Sequence, residues 1–404
     1  MKKIKTSYRD RLLMAWKDHA ASRMGLTGIA WMLGLAGLSG LTGCSGSGDG
    51  DDAPEKPLEV AISFSSELAP TESVTRAAST VGLEKYETEF NVWCFKQMED
   101  ASASVVRVMD PYLVRWTANT AKTTVTNTND WEYVGVAPGQ PIRYWDLGAE
   151  SYRFFGLIDG NGANEKWTLD ADLSDDTQRA YKAQNVNTES GKVPYYSKLW
   201  HSTMSKYREE SNFGKSGKPV QLVFQKPMAR VRFYFRKNDP DMLVQVTDAQ
   251  LKPATNGQKI DTQGTFTVIY PISNSATNTE DPTDTGYSTT EHFKIDATGG
   301  LDALTDDFFR RTDAGLPDNP ETYAGRWYSV LPKTNQGAYS LTVKINGVPK
   351  TATVPATYMD WLPNYEYTYI FIVTETREVK LESVQTAFTP WVEDKEGNYE
   401  VYNW

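Results

Sequence analysis

LEVAISF, residues 58–64, places Leu58, Val60, Ile62 and Phe64 on one face of an extended chain and Glu59, Ala61 and Ser63 on the other. Successive side chains of a strand point to opposite faces, so the alternation predicts a strand half buried against a core. The same period recurs downstream. SLTVKIN (340–346) sets Leu341, Val343 and Ile345 inward, reaches Asn346-Gly347 and resumes as VPKTATVP, which predicts a hairpin with a tight turn. QLVFQKPMARVRFYF (221–235) alternates on both sides of Lys226-Pro227. Proline has no N–H for a ladder, so a bulge or an edge is expected there. YTYIFIV (367–373) is apolar on both faces apart from Thr368, as a central, covered strand would be. In LDALTDDFFRR, Leu301, Leu304 and Phe308 stand three and four apart and predict one short helix. The rest of 271–320 is rich in Pro, Thr and Asp and reads as a long surface insertion. These signals give an all-β chain, most simply two antiparallel β-sandwiches in series. The boundary falls near 217, where FGKSGKPV links residues 77–216 to 217–404.

Upstream of the first strand the composition changes. Seven basic residues and two acidic ones within the first 23 lead into an apolar run from Met24 to Leu41. That layout is an export signal, and the interrupting glycines and the absence of a basic cluster after the run disfavour a permanent membrane helix. Leu41-Thr42-Gly43-Cys44 resembles a bacterial lipobox, so residues 1–43 read as a signal peptide and Cys44 as the lipid-bearing residue. The small and acidic tract Ser45–Asp52 then serves as a tether that lets the folded part stand off the outer membrane. The chain carries 42 Lys and Arg against 52 Asp and Glu; without the leader these become 35 and 50, a net charge near −15. Such a surface disfavours nucleic acid and an electrostatic hold on anionic lipid. Cys94 is then alone, a small core residue rather than half of a disulfide.

The residues of an active site are scarce. His201 and His292 form no HxxxH pair, no G-x-S-x-G elbow occurs, and GKSGKP (214–219) lacks the spacing of a phosphate loop. DADLSDD (170–176) spaces carboxylates by two but lacks the glycine and the final glutamate of a calcium loop. The expectation is a protein without catalysis, without a metal site and without a cofactor. Aromatic segments such as RYWDLGAESYRFFG leave a second reading, a surface glycan-binding lipoprotein whose platforms would include Trp145 or Trp167.

Taken in order, a lipobox, an alternating strand, TRA at 75–77, VQLVFQKPMARVRFYF, WYSVLPKTNQGAYSLTVKING and DWLPNYEYTYIFIV resemble the fimbrillins, the pilins and accessory subunits of type V fimbriae. Lys226 stands where the family often has His, and Asn364 where it has Gly. The resemblance implies two transthyretin-like sandwiches and assembly after lipoprotein export. It also implies an Arg-specific surface protease cutting at Arg76-Ala77, so that residues 44–76 comprise a tether and a removable first strand bearing Leu58, Val60, Ile62 and Phe64. A neighbouring subunit's C-terminal strand would fill the vacated groove. In this chain the candidate donor is GNYEVYNW, with Tyr399 and Val401 on one face and Tyr402 and Trp404 at the opposite parity. The implied partners are other fimbrial subunits, the protease, outer-membrane lipid through Cys44 and, for an adhesive subunit, a host or bacterial surface receptor.

Overall fold

The structure is a computed structural model that describes residues 60–68, 81–98, 105–118, 129–162, 165–188, 192–211, 218–239, 241–274, 290–305 and 327–388. The first part of the chain forms β1 (Phe64–Leu68), β2 (Val81–Gly82), β3 (Glu89–Met98), β4 (Val106–Ala118), β5 (Asn129–Glu132), β6 (Ala149–Ile158), β7 (Thr168–Leu169), β8 (Gln178–Asn187), β9 (Tyr195–Ser197) and β10 (Trp200–Thr203). The short helix α1 (Met204–Ser211) follows. The second part forms β11 (Val220–Gln225), β12 (Ala229–Lys237), β13 (Val246–Pro253), β14 (Ile260–Pro271), β15 (His292–Leu301), β16 (Leu304–Thr305), β17 (Tyr328–Val330), β18 (Tyr339–Ile345), β19 (Val348–Val354), β20 (Tyr365–Val373) and β21 (Val379–Phe388). The protein is all-β, built of sandwiched sheets.

The largest sheet runs β10-β6-β3-β4-β5-β1-β11-β9, with β2 on β1, and β9 pairs back onto β6. Seven strands therefore close into a ring, which leaves no free edge along that path. Inside it lie Phe64, Phe90, Phe154, Trp131, Tyr133, Leu222 and Phe224, each 2% exposed or less. Cys94 sits in the same core on β3, the small strand residue its sequence context predicts. The closure is tight at Gly156. A Cβ built there would lie 2.7 Å from Phe224 Cζ and 3.2 Å from Leu222 Cδ1. Gly156→Ala is therefore expected to destabilise the protein by about 1–3 kcal/mol through overpacking, read as a lowered denaturation midpoint; an unchanged midpoint would mean that β6 and β11 do not meet there.

Two four-stranded sheets, β17-β12-β20-β21 and β16-β13-β18-β19, enclose a second core containing Phe233, Phe235, Leu341, Val343, Tyr369, Phe371 and Trp361. The β18–β19 hairpin turns at Asn346 (φ 49°) and Gly347 (φ 81°), both left-handed, as a two-residue turn matched to strand twist requires. β20 lies between β12 and β21, and Glu366, Thr368 and Ile370 on its outer face are also buried, in keeping with its two apolar faces.

A further sheet, β15-β14-β8-β7, joins residues from before and after 217, because β14 pairs with β8 from Pro271↔Gln178 to Gln263↔Asn187. It packs outside the ring, with Tyr270 stacked on Phe155 at 3.9 Å. Strand β11, which lies beyond 217, belongs to the ring; the chain changes sheets at Lys226-Pro227-Met228. The proline is thus neither a bulge nor an edge but the crossing from β11 in one core to β12 in the other. Two other expectations are corrected. Leu301 and Leu304 lie in β15 and β16 rather than in a helix, while Phe308 is outside the described residues. Within 271–320, residues 292–301 form a ten-residue strand paired along β14.

Candidate functional site

The first strand seals the ring. On one side, the Ile62 N–H donates to the Arg143 carbonyl (2.8 Å) and the Trp145 N–H to the Val60 carbonyl (3.0 Å). Past Ser63 the segment changes partners: Val220 N–H donates to the Ser63 carbonyl (2.8 Å), and β1 runs parallel to β11 from Phe64↔Val220 to Leu68↔Phe224. Phe64 also faces Trp131 of β5, and Leu68 faces Val81 of β2. Val60, Ile62, Phe64 and Leu68 are 7%, 0%, 1% and 5% exposed. The Phe64 ring meets Tyr133, Phe154 and Phe90 at 5.8, 5.9 and 6.3 Å, all edge-on.

Tyr133 touches the backbone as well as the side chains of this segment. Its hydroxyl donates to the Ile62 carbonyl (3.1 Å) and accepts the Arg143 N–H (2.9 Å). Burial, the largest influence, pushes that phenol well above its ordinary range, so it stays a neutral donor. The seat therefore offers two kinds of recognition: main-chain groups that bind any extended segment, and an apolar floor that selects alternating apolar side chains.

Among the described residues no disulfide ties the strand to its neighbours in the sheet. Four buried apolar side chains at about 1.5–3 kcal/mol each give an upper bound of roughly 6–12 kcal/mol for its hold. Taking it out would open the ring between β5 and β11 and leave main-chain N–H and C=O groups unpaired beside an apolar trough.

Of the residues expected at this site, Val60, Ile62 and Phe64 are brought together in the ring core. Leu58, Cys44, Arg76, Ala77, Tyr399, Val401, Tyr402 and Trp404 lie outside the described residues. Sequence reading missed Leu68, which keeps the parity of Phe64 but is masked to the eye by the polar Ser65-Ser66-Glu67 between them. It also missed the floor, Val220, Leu222 and Phe224, because no local pattern reports a partner about 155 residues away in the chain.

The other candidate residues are engaged elsewhere. In the acidic turn, Asp170 pairs with Lys182 (2.6 Å), and Asp175 accepts from the Thr177 and Gln178 N–H groups. His201 on β10 is pushed down to about 4, first by burial and then by Arg153 and Lys206, so its imidazole is neutral. Trp145 is buried, stacked on Tyr207 at 4.2 Å, and the Trp167 indole N–H is held between the Ile158 and Tyr195 carbonyls. Trp145 is therefore not an exposed platform, and Trp167 is half-buried with its indole N–H tied to the backbone.

The family model described as fimbrillin-like matches residues 75–391. The chain belongs to the fimbrillin-like family. Solved structures similar to this fimbrillin-like chain include a fimbrial assembly protein of Parabacteroides distasonis, at 12% identity and a TM-score of 0.35 over 81% of this chain and 100% of that one. A candidate cell adhesion protein of Bacteroides ovatus shares 12% identity with a TM-score of 0.42, over 81% and 98%. Another, of Bacteroides uniformis, shares 14% with a TM-score of 0.38, over 82% and 99%. No curated protein matches the chain by sequence. The matched region begins beside Arg76, so β1 lies ahead of it.

Proposed function

We propose that this chain is a structural and adhesive subunit of a bacterial surface fimbria, exported as a lipoprotein through Cys44 and assembled by exchange of its first strand. The observation that carries the reading is the placement of β1: a short segment upstream of Arg76, seated in the ring through hydrogen bonds and apolar contact. Cleavage at Arg76-Ala77 by an Arg-specific surface protease converts that segment into a removable part. Once it leaves, an extended segment of a neighbouring subunit recovers the same hydrogen bonds and apolar contacts, which drives polymerisation. The ring and the two facing sheets act as two transthyretin-like domains in series, the first of which becomes incomplete once its first strand leaves. Adhesion to a host or bacterial surface receptor is a property of the finished filament, and the chemistry is binding rather than catalysis.

The donor is the C-terminal segment 397–404, whose Tyr399 and Val401, or Tyr402 and Trp404, present alternating apolar faces. A chain lacking residues 397–404 is expected to be exported and cut, and to bring filament length to near zero in negatively stained cells. Filaments of ordinary length from that variant would assign the donor role to another segment.

A further inference from the structure

One inward position of β1 breaks the pattern of its neighbours. Counting in twos from Phe64, residues 64, 66 and 68 oppose Val220, Leu222 and Phe224, and all three floor residues are fully buried. Phe64 and Leu68 present apolar side chains to that floor, but Ser66 presents a hydroxyl. Its Oγ is enclosed and has no hydrogen-bond partner among the described residues. An enclosed hydroxyl without a partner is unfavourable, and a serine fills less of the space over Leu222 than a branched aliphatic side chain would. The next residue adds to the mismatch: burial raises the Glu67 carboxyl above its ordinary range, with a hydrogen bond from the Gln221 side chain opposing the shift.

We propose that the seat over Leu222 is left under-filled by β1, and that the strand replacing β1 in the fimbria carries a branched apolar side chain at the position of Ser66. The inference rests on the strand-exchange reading and names the partner's chemistry. The partner is an extended segment of a neighbouring fimbrial subunit; segment 397–404 meets the requirement when Val401 takes the position of 66, which places Tyr399 at that of 64. A resident strand with one weak contact folds the subunit and still yields to a better one. The exchange then runs downhill without an external energy source, because both strands make the same main-chain hydrogen bonds and differ in what they place over Leu222.

The test has two arms on the full chain. In the first, Ser66→Val is expected to raise the thermal unfolding midpoint of the uncut protein, and Ser66→Ala to raise it less. In the second, the chain is cut at position 76 through an engineered specific protease site, and labelled peptides copying residues 57–68 compete for the groove. The peptide with Val at 66 is expected to displace the resident strand at about tenfold lower concentration than the peptide with Ser. A lowered midpoint for Ser66→Val, or equal competition by the two peptides, would overturn the proposal. If Ser66→Val raises the midpoint but neither peptide displaces the strand, the under-filled seat stands and strand exchange falls, so the two failures are separable.

Discussion

Cells producing the Arg76→Ala variant are expected to carry the protein on their surface as an uncut, monomeric lipoprotein and to bear no filaments. The effect is large because, in the proposed assembly, cleavage is the step that frees β1. While the segment 60–68 remains covalently continuous with residue 77, its local concentration at the groove stays in the millimolar range or above, and a strand from a neighbour cannot compete. Once the bond is cut, a departed strand dilutes away and the competition becomes bimolecular. Arg76→Lys separates charge from recognition: it keeps the positive side chain but not the guanidinium that an Arg-specific protease reads, and it is expected to behave like Ala. Surface filaments of normal length on either variant would remove Arg76 from the account.

Phe64→Ala is expected to destabilise the uncut chain by about 3–5 kcal/mol, read from chemical denaturation of the purified protein. Phe64 is 1% exposed and touches rings on β3, on β6 and in the loop after β5 through Phe90, Phe154 and Tyr133, so the space it leaves cannot close without moving the ring. Against a total stability of roughly 5–15 kcal/mol, that loss brings the uncut subunit close to unfolding. A loss below about 1 kcal/mol would mean that β1 is peripheral to the core and that its removal would create no groove worth refilling.

The legible part of this fold is the part written at short range. Val60, Ile62 and Phe64 declare their face by a period of two, Asn346-Gly347 declares its turn through left-handed backbone, and Tyr365–Val373 declares burial on both sides. Pairings between distant segments left no such mark. β11 reads as the first half of one strand with β12, yet a three-residue crossing sends the two halves into different cores. Leu301 and Leu304 satisfy a helical spacing as well as a strand's, and their pairing with β14 and β13 decided between them. The candidate site divides the same way. LEVAISF marked the inward face of Val60, Ile62 and Phe64, but the strand itself begins only at Phe64, and Leu68, Tyr133 and the weak position at Ser66 emerge only from the register of β1 on β11 and from the loop that brings Tyr133 beneath Ile62.

The N-terminus of the subunit in purified surface filaments tests the central idea most directly. Mass analysis is expected to find chains beginning at Ala77, with residues 44–76 absent from the filament fraction. Filaments built from chains that begin at a lipidated Cys44 and retain residues 58–68 would contradict it.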